Sequence, residues 1–410
     1  MVLWACCLFA VILPFQLIFP PITSGIVAVC LAVVLRWRFK ENLRNWRINK
    51  LWWPWPVMYA LVLLGLIYTP NAHEAGRDVM LKISMLLLPL SFAALPRISE
   101  TNRSIAIWTF AGSLTLAGLI AMGRALWWWL AYDDSIYFSY NNFTFSKFVS
   151  MHYFALYVGF ALLLVLGHWF ENRARFSVGK QFAWLLWGLF LILLLVVLSV
   201  RMQFLAVPLT MMVVMGILLR KTKRFKEGLL VLVAGALLFS AFIMSSANTR
   251  TRLRDMGDEI LSLREITNEK QTNPRKYIWE AAANIIRKNW VWGTGTGASD
   301  DLLQAHLASC DALFWDGEGH YTLQNHRYNY HNEFLQHFAT HGIGGFLFLI
   351  AVFLIPLGFS ELRNDYRSMG FLTLCGISFL TESMLERQAG VLFFAFFYGL
   401  IIINRAAAKG

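Results

Sequence analysis

Charge is what this chain has least of. Only 15% of its 410 residues are Asp, Glu, Lys or Arg, while 58% are apolar; an ordinary soluble domain carries about 25% charged residues. Too few polar side chains exist to coat a water-facing surface, so the composition excludes a set of soluble globular domains and implies an apolar solvent. Cysteine is scarce as well. Cys6, Cys7, Cys30, Cys310 and Cys375 show no paired spacing, and four of them sit inside apolar runs, which excludes a disulfide framework or a cysteine-based zinc site. The chain also lacks internal repeats, low-complexity tracts and the GxxxxGK[ST] pattern of a nucleotide-binding loop.

What is present in abundance is long apolar runs. A bilayer core about 30 Å thick needs about 20 mostly apolar residues per helix. Twelve runs fit, at about 3–19, 22–35, 53–68, 79–95, 104–131, 149–168, 181–199, 202–219, 228–246, 342–360, 368–384 and 388–404. The first lacks a basic n-region and leads into a second apolar stretch, so it reads as a retained helix and not as a signal peptide. The fold class expected is therefore an all-α polytopic membrane protein of about 12 transmembrane helices.

The charge balance, 36 Lys and Arg against 24 Asp and Glu for a net +12, has a topological explanation. Twenty of the cations fall in alternate loops on one side, among them Arg36 to Lys50, Arg97 and Arg103, Arg173 to Lys180, Arg220 to Lys226, Arg363 and Arg367, and Arg405 and Lys409. The short loops of the other side hold only Arg77, Lys147, Arg201 and Arg387. Cytoplasmic loops retain Lys and Arg, so both termini are expected in the cytoplasm, and the excess charge needs no nucleic acid to account for it.

One connection differs from the rest. Residues 247–341 form a polar stretch between the ninth and tenth spans, on the outer face, dividing the chain into 1–246 (helices 1–9), 247–341 (a loop domain) and 342–410 (helices 10–12). A structureless loop that long is unusual, and helical spacing recurs in Leu253–Ile266, in Pro274–Trp290 with Asn273 as N-cap, and in His331–Gly345 leading into the tenth span. The run Trp290–Ala298, WVWGTGTGA, reads as a turn out of the second of these helices; its other reading is a phosphate cradle.

Charges within spans are costly and mark substrate or ion pathways. Lys82 enters the fourth span from the outer face, Arg124 lies late in the fifth, and Arg201 sits in the outer turn between the seventh and eighth. Each could snorkel independently to the interface; together they form the kind of cation set that a diphosphate at the bilayer surface needs, and Arg275, at the start of the amphipathic loop helix, adds to it. Five of the nine histidines fall between His320 and His341. His337 and His341 stand four apart and could bind a metal, although no carboxylate is spaced as in HExxH. A general base is the better use of a neutral imidazole, and chemistry alone leaves open which histidine serves.

Two motifs within 199–345 resemble the O-antigen ligases and their relatives the O-antigen polymerases. Arg201-Met202-Gln203-Phe204-Leu205 matches the family's Arg-x3-Leu, and His331-Asn332, nine residues, then Gly342-Ile343-Gly344-Gly345 matches His-[Asn/Ser/Gln]-x9-Gly-x2-[Gly/Thr/Tyr]. A third likeness is Arg275, Trp279 and the turn Gly293-Thr294-Gly295. The resemblance implies a glycosyltransferase of the bacterial inner membrane with its active site facing the periplasm. The donor would be polysaccharide on undecaprenyl diphosphate and the acceptor a sugar hydroxyl of lipid A-core. His331 would be the catalytic base, with Asn332 or a loop carboxylate holding its tautomer; Arg201 and Arg275 would bind the diphosphate; Leu205, Gly342 and Gly345 would support the site. Lys82 and Arg124 join the diphosphate set by inference from their depth. Lipid diphosphate is already a good leaving group, so neither cofactor nor metal is demanded. A polymerase would use the same donor with a lipid-linked repeat as acceptor, and an enzyme loading protein hydroxyls is a further variant. A twelve-helix transporter is the alternative from another class, but it calls for a midplane site between repeated halves.

Overall fold

A computed structural model describes residues 2–16, 39–133, 148–245, 275–310, 313–315, 320–322 and 327–406. The elements in order are α1 (Val2–Ile12, continued by a 3-10 turn Leu13–Phe15), α2 (Phe39–Ile48), α3 (Pro54–Tyr68), α4 (Ala72–Ala94), α5 (Glu100–Tyr132), α6 (Met151–Asn172), α7 (Val178–Leu198), α8 (Arg201–Thr222) and α9 (Phe225–Ser245). Then come α10 (Arg275–Asn289), α11 (Ser299–Ala308), a hairpin of β1 (Leu313–Trp315) and β2 (His320–Thr322), α12 (Glu333–Leu354), α13 (Ser360–Arg363), α14 (Tyr366–Phe379) and α15 (Gln388–Phe397, extended by a π-helical turn Tyr398–Ile403). The described residues are thus helical apart from the hairpin, whose strands pair antiparallel with Phe314 opposite Tyr321.

Side-chain caps fix several starts. Asn71 accepts from the Glu74 N–H, Ser99 from Asn102, Asn332 from Leu335 and Asp365 from Ser368, each satisfying a backbone donor that the first helical turn leaves over. Among the described residues, five helices are long and apolar enough to cross a bilayer: Glu100–Tyr132, Met151–Arg175, Val178–Leu198, Arg201–Thr222 and Glu333–Gly358. Their packing separates two kinds. In α6, 89% of the most apolar window is buried, against 33% in α7. A helix apolar all round belongs in a core, as α6 does between α7, α8 and α14. The outward side chains of α7, including Val178, Phe182 and Leu186, are exposed and apolar, which suits lipid and not water.

Several expectations change. The span at 22–35 and the helix at Leu253–Ile266 lie outside the described residues, as do Asn273 and Pro274. Part of the first basic loop is the amphipathic helix α2, and α11 and the hairpin were not foreseen; their runs are too short to show a period. The eleventh span is shorter than its apolar run: α14 stops at Phe379, and Leu380–Arg387 form a polar turn before α15. His331–Gly345 is not one helix. α12 begins at Glu333 behind its Asn332 cap and breaks at Gly342, whose φ is +62°.

The glycine-rich run Gly293–Gly297 packs into that break. The Thr294 and Gly295 amides donate to the Ala339 and Thr340 carbonyls (2.9 and 3.1 Å), and the Ile343 amide to Trp290 O (2.8 Å). A Cβ on Gly342 would stand 2.2 Å from Val291 O, and one on Gly293 2.3 Å from Thr340 O. These glycines allow two backbones to touch, so the run is a helix-exit turn and not a phosphate cradle. α10, α11 and the start of α12 share a small core of their own around Ile278, Ala282, Leu303 and Tyr330.

Candidate active site

The polar turn after α14 places Glu382 between two groups distant in sequence. Its Oε2 lies 3.1 Å from His331 Nδ1, and its Oε1 accepts from Arg275 Nη2 at 3.3 Å. One carboxylate therefore joins the segment that leads into α12, the first residue of α10 and the turn between α14 and α15. His331 is held at φ +45°, and its amide donates to Asn329 Oδ1 (3.0 Å). Its neighbours are fixed too: Trp279 Nε1 donates to Tyr330 O (3.2 Å), and the Tyr330 hydroxyl to Ser299 O (3.0 Å). Asn332 does not hold the imidazole. It caps α12 with its oxygen and donates through Nδ2 to Leu380 O (2.9 Å), tying the His331 segment to the Glu382 turn. The carboxylate expected from the loop comes instead from beyond α14.

With Nδ1–H donating to Glu382, a neutral His331 presents its Nε2 lone pair, which has no partner among the described residues. The side chains remain reachable: His331 is 28% exposed, Arg275 26% and Glu382 14%. An oriented imidazole beside a guanidinium can take a proton from a hydroxyl while the cation faces an anion. Arg201 opens α8, and two residues on Gln203 Nε2 donates to Ser378 Oγ at the end of α14 (3.1 Å). The helix start carrying Arg201 thus stands at the same end of the bundle as Glu382. Leu205, one turn later on α8, is 44% exposed.

Two expected cations are not brought there. Lys82 is 2% exposed, with Nζ 3.0 Å from Glu386 Oε1 and 4.0 Å from Asp78 Oδ2. An ammonium so enclosed is spent on neutralising two half-buried carboxylates, which corrects its assignment to the diphosphate. Arg124, late in helix α5, makes no ion pair or hydrogen bond with the described residues, and the structure gives it no link to Glu382. Gly342 and Gly345 act through backbone: the first makes the α12 break, and a Cβ on the second would meet His337 O at 2.5 Å.

Beneath the site lies a second polar layer. Glu333 Oε2 accepts from the Leu385 amide (2.6 Å), and its Oε1 lies 3.1 Å from His337 Nε2. His337 and His341 are buried, and no metal-binding cluster occurs among the described residues. Gln336 donates to Asp300 Oδ1 (2.9 Å) and accepts from Ser383 Oγ (3.4 Å). In the loop domain, burial pushes the Asp300 carboxyl above its ordinary pKa, opposed by the Gln336 amide.

Glu382 is the residue that the sequence reading missed. Its signal was the one used for the cations: an ionisable side chain at the end of an apolar run, here Thr381-Glu382-Ser383.

Residues 185–350, from α7 into α12, match the family described as O-Antigen ligase. This stretch is similar to an O-antigen ligase family domain. The match contains Arg201, Arg275 and His331 and ends before Glu382, so the carboxylate that binds two of them together comes from outside the family domain. Among curated proteins none matches the chain. An O-antigen ligase domain implies a glycosyl-transfer enzyme of the ligase or polymerase kind, working on lipid-linked polysaccharide in a membrane.

Proposed function

We propose that this protein is an O-antigen ligase. It moves polysaccharide from undecaprenyl diphosphate to a sugar hydroxyl of lipid A-core, at the periplasmic face of the bacterial inner membrane. The observation that carries the reading is the bridged group His331–Glu382–Arg275, in which one carboxylate orients an imidazole and holds a guanidinium beside it.

The chemistry follows from those positions. The acceptor hydroxyl oxygen attacks the anomeric carbon, its proton passes to His331 Nε2, and the bond from that carbon to the diphosphate oxygen breaks with its electron pair. The diphosphate leaves with added negative charge, which Arg275 and Arg201 offset by charge-assisted hydrogen bonds. Glu382 stabilises the imidazolium that forms. A single displacement gives inversion at the anomeric carbon and calls for no metal. Twelve crossings, cytoplasmic termini and a periplasmic domain at 247–341 complete the proposal; opposite faces for the two charge sets are supported by α8, which runs from Arg201 to Arg220, and by α15 with its π-helical turn, which separates Glu382 from Arg405.

Deleting the gene tests it. Loss of all polymer from the lipid A-core, with polymer accumulating on the carrier lipid, is the expected result. A core bearing a single repeat would assign the protein as a polymerase instead, and flux through proteoliposomes without covalent transfer would make it a transporter.

A further inference from the structure

At the end of the bundle away from Glu382, five cations from four separate segments meet around one cleft of about 530 Å³. Arg97 follows α4, Arg220 and Lys221 end α8, Arg363 ends α13, and Arg405 follows the π-helical turn; Glu361 is the one carboxylate in the wall. Part of this charge is already matched. Arg97 pairs with Glu361 (3.1 Å), Lys221 with Glu171, and Arg405 with Glu100 and Asp365 (3.3 Å each). Arg220 and Arg363 are exposed and make no ion pair or hydrogen bond with the described residues. Arg405 Nε is buried, also without a partner among them. A concave wall with two exposed and unpaired guanidinium groups, Arg220 and Arg363, fits an anion with several oxygens, since arginine binds phosphate through paired N–H groups.

Depth identifies which anion. α8 runs from Arg201, at the Glu382 end, to Arg220 at the cleft. At 1.5 Å per residue those nineteen steps span about 28 Å, close to the hydrocarbon thickness of about 30 Å. The cleft therefore lies at headgroup level in the opposite leaflet, beside lipid-facing side chains such as Met212 and Val213 of α8. Basic pockets between helices on that side suit anionic headgroups. We propose that this cleft binds the phosphodiester headgroup of an anionic phospholipid, tying α4, α8, α13 and the C-terminal segment together at the membrane surface.

The test is native mass spectrometry of the full chain in neutral detergent, offered an equal mixture of phosphatidylglycerol and phosphatidylcholine. Phosphatidylglycerol adducts should exceed phosphatidylcholine by about tenfold, the scale set by one or two surface arginines. Arg220→Gln with Arg363→Gln should remove most of that preference. Arg44→Gln with Arg47→Gln, which removes the same charge from α2 outside the cleft, should leave it intact. Equal binding of the two lipids overturns the proposal, and so does an equal loss in both double variants, which would reduce the effect to general surface charge. Inorganic phosphate is the last arm: full displacement of the lipid by millimolar phosphate would assign the cleft to a soluble anion and overturn the lipid source, whereas failure to displace supports the headgroup.

Discussion

Glu382 and Glu386 lie four residues apart in the same turn, and each faces a cation, yet their surroundings differ. Glu386 meets Lys82, whose side chain is 3% exposed, and the pair is closed off between α4 and the turn. Glu382 meets His331 and Arg275, exposed by 28% and 26%. Taking two charges out of water costs several kcal/mol per ion, repaid only when both partners stay in place. The Glu386 pair has that closed geometry, so it belongs to the scaffold. The Glu382 group stays partly exposed, with the His331 imidazole and the Arg275 side chain both reachable by a substrate. Burial, more than residue type, separates a charge that holds the fold from one that can act on a ligand.

The largest effects should fall on opposite sides of this comparison. His331→Ala and Glu382→Gln should lower transfer by about 10²–10⁴-fold, the range of a general base, with the melting temperature of the purified protein unchanged; normal ligation by both variants would remove the site assignment. Lys82→Met should behave inversely. Leaving Glu386 buried without its cation costs about 3–5 kcal/mol, visible as a lower melting temperature and less protein in the membrane, and Lys82→Met with Glu386→Leu should recover most of it. If Lys82→Met melts like the wild type yet cannot transfer, the division between scaffold and site is wrong.

Smaller changes sharpen the boundary. Gly342→Ala forces a side chain into left-handed backbone against Val291 O, costing about 1–3 kcal/mol, and thermal unfolding should register it. Asn332→Ala removes a cap worth about 1 kcal/mol as well as the bond to Leu380 O; a modest drop in stability with a larger drop in turnover would show that this link sets the distance from His331 to Glu382. Asp300 gives the smallest effect and a sign. Its folded pKa is raised, so its contribution to stability is fully present below the unfolded carboxyl pKa and is lost as pH rises through the folded value. Asp300→Asn, which keeps an acceptor for Gln336, should flatten that part of the stability curve; an unaltered slope would show that burial there is not costly.

Much of the bundle was legible because the bilayer imposes a length and a composition on each helix. The runs at 104–131, 149–168, 181–199 and 202–219 correspond to α5, α6, α7 and α8, and the loops grouped by their Lys and Arg supply the walls of a single cleft. Pro274–Trp290 showed helical spacing and is α10 from Arg275 onward. The failures have a common cause. Lys82 looked like a site cation because an isolated charge in an apolar run carries no record of its partner, and Glu386 lies 304 positions away. Glu382 carries the same kind of signal, and its partners His331 and Arg275 lie 51 and 107 positions away.

By itself the sequence determined where the chain is apolar enough for lipid, which loops carry the cations, and that its resemblance to one family runs through His331, Arg275 and the glycines of two motifs. These depend on composition and local spacing, which any short segment displays. Tertiary structure alone decided that Glu382 bridges His331 and Arg275, that Lys82 is closed away, and that Gly293 and Gly342 meet. The reason is physical: each is a contact between segments from tens to hundreds of residues apart, and it exists only once helix packing brings two backbones to within a few ångströms.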